Sequence, residues 1–355
     1  MTTIDRVNLS PVKTILITAS NLSPVGIDTV LSLKDYYKIV CVDVKPRRDS
    51  VVTYFCKQYY EVPLAKTGTE YLDAIIEICD KEKVDIILPL TIEETLILVA
   101  NKNFLNNKKI YIANENDLDV IKTCSDKWLT NKLLRDNNIT VPNAIPVFSM
   151  EDIENNISKF GYPKRRVVIK PRVTHGSRGF KIITAKKNDL SLIIDAKPTD
   201  FHFVGMNYFC DIVKGRELQM VLMDYLEGDD YSVYAFCIGG KPLVVIPMKR
   251  FGLVPGMSTG GILEKNDMIV KYVAEISQIF KFNGSINFQL KYTSLGPLLY
   301  EINTRISATT VITRGTNINF PLCEALLSEG KIDKIKEHIS KTKVLWGLKL
   351  HRIHR

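Results

Sequence analysis

Short apolar segments and amphipathic segments alternate along the first third of the chain. The apolar segments TILITAS (14–20), KIVCVDV (38–44) and VDIILPL (84–90) have the length and β-branched content of buried strands. Helix-like segments, VGIDTVLSLKDY and TEYLDAIIEICDKEK, separate them, and IEETLILVANKNFL and KIYIAN continue the alternation. Because parallel strands need helix-length crossovers, this order predicts a parallel sheet of βαβ units that ends near residue 115.

The turn after the first strand bears on whether this sheet binds a dinucleotide. A dinucleotide site needs G-x-G-x-x-G, so that the backbone can approach the pyrophosphate. The turn ASNLSPVG supplies only Gly26, although Asp43, at the end of the second strand, stands where a ribose-binding acid would. One acid without the glycines favours a scaffold role over an NAD site.

Composition narrows the class of protein. The chain has 355 residues, of which 45% are hydrophobic and 25% charged, which is typical of a soluble globular protein with room for two or three packed units. No apolar run approaches the ~20 residues that span a bilayer, and MTTIDRVNLSPVK has no apolar signal core. Seven dispersed cysteines without a C-x-x-C pair favour reduced thiols. We therefore expect a cytoplasmic protein without a membrane segment.

The formal net charge is +9, and its simplest explanation is a solvated basic surface with the basic tail KLHRIHR. A functional explanation is attraction of anionic substrates such as nucleotides and carboxylates. A nucleic-acid site would favour a basic stripe interleaved with aromatic residues, and none is visible. We expect small anionic ligands and no nucleic acid.

Beyond Asn116 the pattern changes. The segment DLDVIKTCSDKWLTNKLLRDNNI predicts two helices, with Ser125 or Asp126 as a cap, and TVPNAIPV predicts an extended link. Strand-rich sequence then runs to about residue 305, with helices predicted near 150–160, 188–195 and 267–281. The segment PLCEALLSEGKIDKIKEHIS predicts one or two closing helices.

A lysine and a small-residue loop are the first candidates for binding chemistry. In RRVVIKPRVTHGSRGFKIIT (165–184), a buried-looking strand ends in Lys170, and a loop with Gly176, Ser177 and Gly179 follows. A lysine in an apolar run is costly unless its ammonium meets an anion, and small residues let backbone N–H groups approach phosphates. The alternative is a β-hairpin with a flexible tip and a lysine that extends to solvent. A Walker loop is absent.

An acidic link is the second candidate. In LQMVLMDYLEGDDYSVYAF (218–236), two strand-like runs flank residues 227–230. Backbone groups of such a link can bind an adenine edge, and a carboxylate such as Asp230 can hold a ribose hydroxyl. The alternative is an acidic surface turn.

The segment GSINFQLKYTSLGPLLYEINTRIS is the third candidate, and it predicts a hairpin with its turn at 293–297. Centring the turn on Leu295 aligns four pairs: Gln289 with Glu301, Asn287 with Asn303, Phe288 with Ile302, and Leu290 with Tyr300. The apolar pairs share one face, which supports the register. Gln289, Glu301 and Asn303 then converge, and their oxygens suit magnesium.

Arg305 is next on this face and can hold a phosphate or carboxylate by a two-pronged contact. The alternative is that the face is an ordinary solvent-exposed side of a sheet. A further Gly- and Ser-rich segment, RFGLVPGMSTGGIL (250–263), is interpreted as a loop that closes over a substrate or is an inert connection. Arg250 and Ser258 are its candidate substrate contacts.

The lysine with its loop, the acidic link and the Gln…Glu-x-Asn-x-Arg segment follow one another in an order that resembles the ATP-grasp superfamily, most closely its carbamoyl-phosphate-synthetase-like branch. The resemblance covers nearly the whole chain and implies an α/β and α+β fold. A Rossmann-like pre-ATP-grasp domain would cover 1–115. A two-lobed ATP-grasp module would cover 116–320, divided into lobes of about 116–222 and 223–320, and a helical segment would cover 321–355.

The resemblance also implies roles for individual residues. Those that would bind ATP, through its phosphates, adenine or ribose, are Lys127, Lys170, Gly176, Ser177, Gly179, Asp224, Leu226 and Asp230. The superfamily usually has Glu at the two Asp positions, so these carboxylates reach less far. The metal ligands for Mg²⁺ (or Mn²⁺) would be Gln289, Glu301 and Asn303. Arg305, together with Lys170, would stabilise the transferring phosphate.

The implied activity is that of an ATP-dependent ligase that activates a carboxylate as an acyl phosphate and joins it to an amine or a thiol. Such a site needs no nucleophilic side chain, since it works by positioning and electrostatics. The expected partners are small-molecule substrates, with a homodimer as one assembly. The alternatives are another phosphoryl transfer to a carboxylate, such as carbamoyl-phosphate-like chemistry with a partner, and a non-catalytic nucleotide-binding regulator.

Overall fold

The computed structural model describes residues 12–22, 24–66, 69–114, 116–174, 178–185, 202–254, 257–307 and 316–351. The chain divides into two compact units. The first unit holds the described residues up to Leu118, with Asn283–Ser285 and those of Thr304–Val344. The second unit holds those of Asp119–Phe282, Ile286–Asn303 and the segment from Leu345. The three-segment division suggested by the sequence stays a prediction.

The first unit contains the predicted parallel sheet. Its strands are β1 (Thr14–Ile17), β2 (Lys38–Asp43), β3 (Gln58–Glu61), β4 (Ile86–Leu88) and β5 (Tyr111–Ile112), in the order β3-β2-β1-β4-β5. Every pairing in this sheet is parallel. The helices are α1 (Val25–Leu33), α2 (Glu70–Glu82), α3 (Ile92–Ala100) and α4 (Lys102–Asn107). The short, polar β3 was not foreseen, because QYYE lacks the apolar run that marked the other strands.

Side-chain hydrogen bonds and a close backbone approach hold the described part of the turn between β1 and α1. A Cβ at Gly26 would lie 1.8 Å from Ser20 O, so the helix can begin there only with glycine. Asp43 accepts hydrogen bonds from Asn21 N (2.8 Å) and Lys45 N (3.0 Å). The carboxylate therefore fixes the turn, which is the scaffold role favoured by the sequence.

The second unit begins with the two predicted helices, α5 (Leu118–Ser125) and α6 (Lys127–Asp136). Asp126 is the cap, since its carboxylate accepts from Trp128 N and Leu129 N at 2.9 and 3.2 Å. A five-stranded sheet follows, in the order β6-β10-β7-β8-β9. Its strands are β6 (Ala144–Val147), β7 (Val167–Pro171), β8 (Lys181–Ile183), β9 (Phe203–Val204) and β10 (Met220–Asp224).

The two faces of this sheet differ. Helices α7 (Met150–Asn156) and α8 (Met206–Val213) cover one face and complete a closed apolar cluster with Ile169 and Leu222. The opposite face carries a smaller apolar cluster that includes Val168 and Val221. Lys170 lies on this second face, because it is paired with Val221 and follows Val168 by two residues. The helix predicted near 188–195 lies outside the described residues.

A six-stranded sheet forms the rest of the second unit, in the order β15-β14-β11-β12-β13-β16. Its strands are β11 (Asp229–Ile238), β12 (Lys241–Val254), β13 (Met257–Leu263), β14 (Gly284–Thr293), β15 (Gly296–Asn303) and β16 (Lys349–His351). Helix α9 (Asp267–Phe280) packs on one face of this sheet and buries Val273 and Ile276 against Phe288 and Ile302. Its position agrees with the helix predicted at 267–281.

The interpretation of 250–263 as a loop is wrong. The segment lies in the antiparallel pair β12–β13, in which Arg250 faces Gly261 and Phe251 faces Gly260. A Cβ at Gly260 would lie 2.4 Å from Phe251 Cε2, and one at Gly261 would lie 2.5 Å from Met248 Sδ. These glycines therefore leave room for side chains of the neighbouring strand, which is why a glycine-rich sequence forms a strand here.

The register of the β14–β15 hairpin is confirmed at three of the four predicted pairs. Gln289 faces Glu301, Asn287 faces Asn303, and Phe288 faces Ile302. The fourth pair was wrong, because a bulge after Gln289 places Leu290 opposite Leu299 rather than Tyr300. One extra residue in β15 thus removes Tyr300 from the predicted apolar row.

The closing helices of the first unit are α10 (Phe320–Ser328) and α11 (Ile332–Ser340), as predicted. Asn319 caps α10 by accepting from Leu322 N at 2.9 Å. Helix α10 contacts β4 and α1, so the parallel sheet is completed by a segment that lies far along the chain from it.

Candidate active site

Lys170, near the end of β7, is almost completely buried, with 6% of its surface exposed. Its Nζ donates to Tyr300 O at 3.1 Å and lies 5.5 Å from the centre of the Tyr300 ring. The pKa of this lysine is lowered to about 7, chiefly by burial and then by the charge of Lys127, while Glu301 opposes both effects. A buried ammonium next to a second cation is a favourable place for an anion to bind.

Lys127 is the first residue of α6 and is also buried. Its Nζ donates to Thr174 O at 2.7 Å. Burial lowers its pKa, whereas Glu301 and Asp126 raise it. Lys127, Lys170 and Glu301 therefore interact electrostatically, so the structure brings together three residues that the sequence assigned to one site.

A polar face on β14 and β15 carries the proposed metal ligands. Asn303 Nδ2 donates to Glu301 Oε1 at 3.1 Å. Asn287, which is 1% exposed, donates through Nδ2 to Ser232 Oγ at 2.8 Å and more weakly to Val233 O at 3.3 Å. Its Oδ1 is buried and has no hydrogen-bond partner in the part of the chain that the structure describes. An unpaired buried acceptor is costly, and a bound cation would satisfy it.

The donor set on this face fits a hard cation. Within the described residues there is no group of three or more His, Cys, Asp or Glu side chains that could hold a metal. A metal here would rest on one carboxylate, Glu301, and on the amide oxygens of Gln289, Asn303 and Asn287. Oxygen ligands with few protein charges suit Mg²⁺, which keeps water and phosphate oxygens in its coordination sphere.

Asp230 lies in a buried network of cations at the start of β11. Arg250 donates to Asp230 Oδ1 through Nε at 2.8 Å and also through Nη2. The Tyr300 hydroxyl donates to the same oxygen at 3.1 Å and accepts from Arg250 Nη2 at 2.7 Å. Lys291 Nζ lies 3.1 Å from Asp230 Oδ2. The proposed ribose acid and the proposed substrate arginine thus bind each other.

The segment between β10 and β11 contains the proposed adenine hinge. Asp224 Oδ2 accepts from Asn143 N at 3.0 Å and Asn143 Nδ2 at 2.9 Å, which ties the carboxylate to the start of β6. Leu226 is half-buried in the connection that follows. Gly228 has φ +139°, and a Cβ there would lie 2.2 Å from Tyr292 O. Only glycine allows the hinge to pass this close to β14.

The face of the β6–β10 sheet that carries Lys170 is otherwise apolar. It is formed by buried side chains of β6, β7, β8 and β10, with partly buried aromatic residues at its margin. The members are Ala144, Val168, Ile182, Val221 and Met223, with Trp128, Phe180, Phe203 and Tyr225. An apolar lining with a lysine at one side suits a ligand with a planar ring and an anionic group.

The remaining predicted residues are located less completely. Gly176 and Ser177 lie outside the described residues, while Gly179 has φ +73°, which favours glycine. Ser258 pairs with Leu253 in β12–β13, and its side chain lies outside what is described. Arg305 belongs to the first unit, where its Nη1 donates to Ile306 O at 3.1 Å.

Tyr300 and Lys291 were not foreseen as site residues. Tyr300 was assigned to the apolar face because alternation predicts side-chain direction only in an uninterrupted strand. Lys291 lies within the predicted hairpin, and nothing in the sequence alone assigned it a role. Lys291 follows Gln289 by two residues, so the alternation of side chains along β14 places both on the same side of the strand. Its partner Asp230 is 61 positions away in the sequence, so local patterns could not indicate the contact.

Two family models match parts of the chain. Residues 15–113 match the model described as "PylC-like, N-terminal domain", and residues 216–349 match "ATP-grasp in the biosynthetic pathway with Ter operon". These two segments are thus similar to an ATP-grasp domain and to a PylC-like N-terminal domain, in the order that the sequence resemblance implies. The matches bear out the resemblance drawn from the sequence.

Among curated proteins, the chain is similar to the carbamoyl phosphate synthase large chain of Clostridium acetobutylicum, with 25% identity over 252 residues. The match covers 68% of this chain and 22% of that protein. The same protein from Thermoanaerobacter pseudethanolicus is covered over 24% of its length, so the chain spans about a quarter of these relatives or less.

Solved ATP-grasp structures share the fold. The biotin carboxylase domain of Hydrogenobacter thermophilus 2-oxoglutarate carboxylase, solved with MgADP, ADP and bicarbonate, matches with a TM-score of 0.65 and 15% identity. The match covers 90% of this chain and 70% of that chain. An L-amino acid ligase from Bacillus licheniformis matches with a TM-score of 0.61 and 14% identity, and the match covers 94% of this chain and 75% of that chain.

Among the described residues, no helix has the length and apolar character needed to cross a membrane.

Proposed function

We propose that the protein is an ATP-dependent ligase that activates a carboxylate as an acyl phosphate and joins it to an amine, or to a thiol, with release of ADP and phosphate. The observation that carries this proposal is the grouping of Lys170, Lys127 and Glu301 in a chain with an ATP-grasp domain. Two buried ammonium groups beside one carboxylate provide both a site for phosphates and a ligand for their metal.

The two lysines are proposed to bind the ATP phosphates. In the described structure their ammonium groups donate to backbone carbonyls, Thr174 O and Tyr300 O. A carbonyl satisfies a hydrogen bond but does not neutralise the charge, so an anionic oxygen is the stronger partner. Phosphate binding would therefore restore the positive charge that burial disfavours at Lys170.

The polar face of β14 and β15 is proposed to hold Mg²⁺. Glu301 and the amide oxygens of Gln289 and Asn303 would be its protein ligands, with Mn²⁺ as the alternative metal. When bound, the metal would supply positive charge that spreads the charge developing on the transferring phosphoryl group. The unpaired Oδ1 of Asn287 on the same face supports this proposal.

The nucleoside part of ATP is proposed to lie against the apolar face beside Lys170. The backbone of the hinge around Leu226 would bind the adenine edge, with Asp224 fixing that hinge through Asn143. Asp230 is the proposed ribose acid. Arg250 and Tyr300 donate to Asp230, and Lys291 forms an ion pair with it. A ribose hydroxyl would therefore displace one of them, and the partly exposed Lys291 is the easiest to displace.

The proposed chemistry follows from positioning. A substrate carboxylate oxygen forms a bond to the γ-phosphorus as the bond to the ADP oxygen breaks, which yields an acyl phosphate and ADP. The amine then attacks the acyl carbon, phosphate leaves, and the amine loses a proton. Lys127 and Lys170 would stabilise the negative charge, and Arg305, two residues after Asn303, is proposed as a further anion contact.

Two alternatives are kept. Phosphoryl transfer to another carboxylate, including carbamoyl-phosphate-like chemistry with a partner, uses the same residues. A non-catalytic nucleotide-binding regulator would not need metal ligands, so the presence of Gln289, Glu301 and Asn303 on one face favours the enzyme. The proposed substrates are small molecules, the proposed location is the cytoplasm, and a homodimer is the proposed assembly.

The test is a screen for ADP release over pairs of carboxylates and amines, including amino acids and sugar acids, with MgATP. The wild type should release ADP with at least one pair, whereas Glu301→Ala should lose this activity. Glu275→Ala is the matched control, since it removes a half-exposed carboxylate from α9 of the same unit. Equal ADP release by Glu301→Ala and Glu275→Ala would contradict the metal assignment.

A further inference from the structure

Arg172 and Asp126 form a forked ion pair that none of the proposed roles uses. Arg172 Nη2 and Nε lie 2.6 and 3.1 Å from Asp126 Oδ2, and the two side chains are only 19% and 9% exposed. The guanidinium also lies 5.9 Å from the centre of the Phe148 ring. Two donors on one carboxylate oxygen, with Nε also 3.4 Å from Oδ1, restrict the orientation of the guanidinium as well as attracting it. The pair therefore fastens two segments in one arrangement.

Each partner lies next to an element that carries a proposed phosphate-binding lysine. Asp126 caps α6, which begins with Lys127. Arg172 directly follows β7, which contains Lys170. The backbones are joined as well, since Lys127 N donates to Arg172 O at 3.0 Å, and Asp126 forms a β-bridge with Val173. The start of α6 and the segment after β7 are thus joined by the ion pair and by the β-bridge to which this backbone hydrogen bond belongs.

The position of the Lys127 ammonium depends on this junction. Its Nζ donates to Thr174 O at 2.7 Å, one residue beyond the bridge at Val173. Without that carbonyl, four rotatable bonds of the lysine would be free, and fixing them on ligand binding would carry an entropic cost. Holding the ammonium in place before the ligand arrives lowers that cost.

We propose that Arg172 is a positioning residue for ATP binding, and that it acts through Asp126 to hold Lys127 in its anion-binding place. This inference rests on the proposed function, because it takes Lys127 as a ligand of the ATP phosphates. The competing explanation is that the ion pair only stabilises the fold. The two explanations predict different effects of replacing Arg172 on the Kd of MgATP when Lys127 has also been replaced.

The test is a double-mutant cycle on the Kd of MgATP, measured by isothermal titration calorimetry on the full chain. Arg172→Met should raise the Kd about tenfold, the effect of losing one charge-assisted contact. Arg172→Lys should recover part of the loss, since it keeps the charge without the fork. In a Lys127→Met background, Arg172→Met should have no further effect. Arg216→Met, which removes an exposed arginine of the same unit, is the control.

The Asp126→Asn variant tests the same ion pair from its other partner, because asparagine also caps helices but does not carry the negative charge. It should raise the Kd as Arg172→Met does, even if Arg172→Met fails to fold. An unchanged Kd in the Asp126→Asn variant, or an equal effect of Arg172→Met with and without Lys127, would overturn the inference. If Lys127→Met weakens binding in those cases, the proposed function stands. Absence of ATP binding in the wild type would overturn both.

Discussion

Lys170 and Arg250 are both buried cations in the second unit, but they are neutralised differently. Arg250 forms a forked contact with Asp230 and shares the Tyr300 hydroxyl with it. Among the described residues, the Lys170 ammonium has the Tyr300 carbonyl and ring as its direct contacts, and its pKa falls to about 7 although Glu301 opposes the shift. A cation that is ion-paired within the fold serves the architecture, whereas a cation that contacts no carboxylate among the described residues is available to a ligand.

The largest expected effect is the loss of stability on substitution of Arg250, the cation that is ion-paired. Arg250→Met leaves the carboxylate of Asp230 buried with Lys291 as its remaining cation. Removing one partner of a buried ion pair destabilises a protein by about 3–5 kcal/mol, and Lys291 should reduce this to the lower end. Urea unfolding monitored by circular dichroism measures the change. The double variant Arg250→Met/Asp230→Asn should recover most of it, and failure to recover would show that packing, not charge, is responsible.

Lys170→Met should have the opposite pattern. The substitution removes a charge that burial disfavours, so the melting temperature should not fall. The Kd of MgATP should rise by roughly tenfold to a hundredfold, because charge-assisted hydrogen bonds to phosphate are lost. Calorimetric titration and thermal denaturation of the same sample report both quantities. A lower melting temperature with an unchanged Kd would assign Lys170 to the architecture together with Arg250.

Glu94 extends the comparison to a carboxyl group, in the first unit. It is 6% exposed, accepts from Thr18 Oγ1 and Thr91 Oγ1, both at 2.7 Å, and burial raises its pKa. A raised pKa means that its stabilising contribution is complete below its unfolded pKa and declines as pH rises through the folded value. Glu94→Gln should therefore gain stability relative to wild type as pH rises, by at most about 1.4 kcal/mol per pH unit. Urea midpoints between pH 4 and pH 7 measure this, and a constant difference would contradict it.

Lys291→Met should give the smallest effect. Its side chain is 24% exposed and contacts Asp230 from the open side, so its loss should change stability by less than about 1 kcal/mol. If a ribose hydroxyl must displace this lysine, MgATP should bind a few fold more tightly to the variant. A weaker Kd would instead make Lys291 part of the ligand site. Lys271→Met, at an exposed position of α9, is the control.

Local patterns were sufficient for much of this structure. Alternation of strands and helices predicted the parallel sheet, and alternation within the 284–303 segment predicted the pairing of Gln289 with Glu301. The bulge at Tyr300 could not be predicted, because the sequence keeps its alternation on both sides of the extra residue. The Asp230–Arg250 pair was missed because it depends on the pairing of β11 with β12. The glycines of β13 were misread because glycine marks close packing as well as turns.

The passage of the chain between the two units has a consequence for work with fragments. Helix α10, from residues 320–328, contacts β4 and α1, so the first unit is not contiguous in sequence. A fragment that ends at residue 115 would lack this helix and leave the apolar surfaces it covers exposed to water. Such a fragment should be poorly soluble, whereas joining 12–118 to 304–344 through a short linker should restore a soluble product.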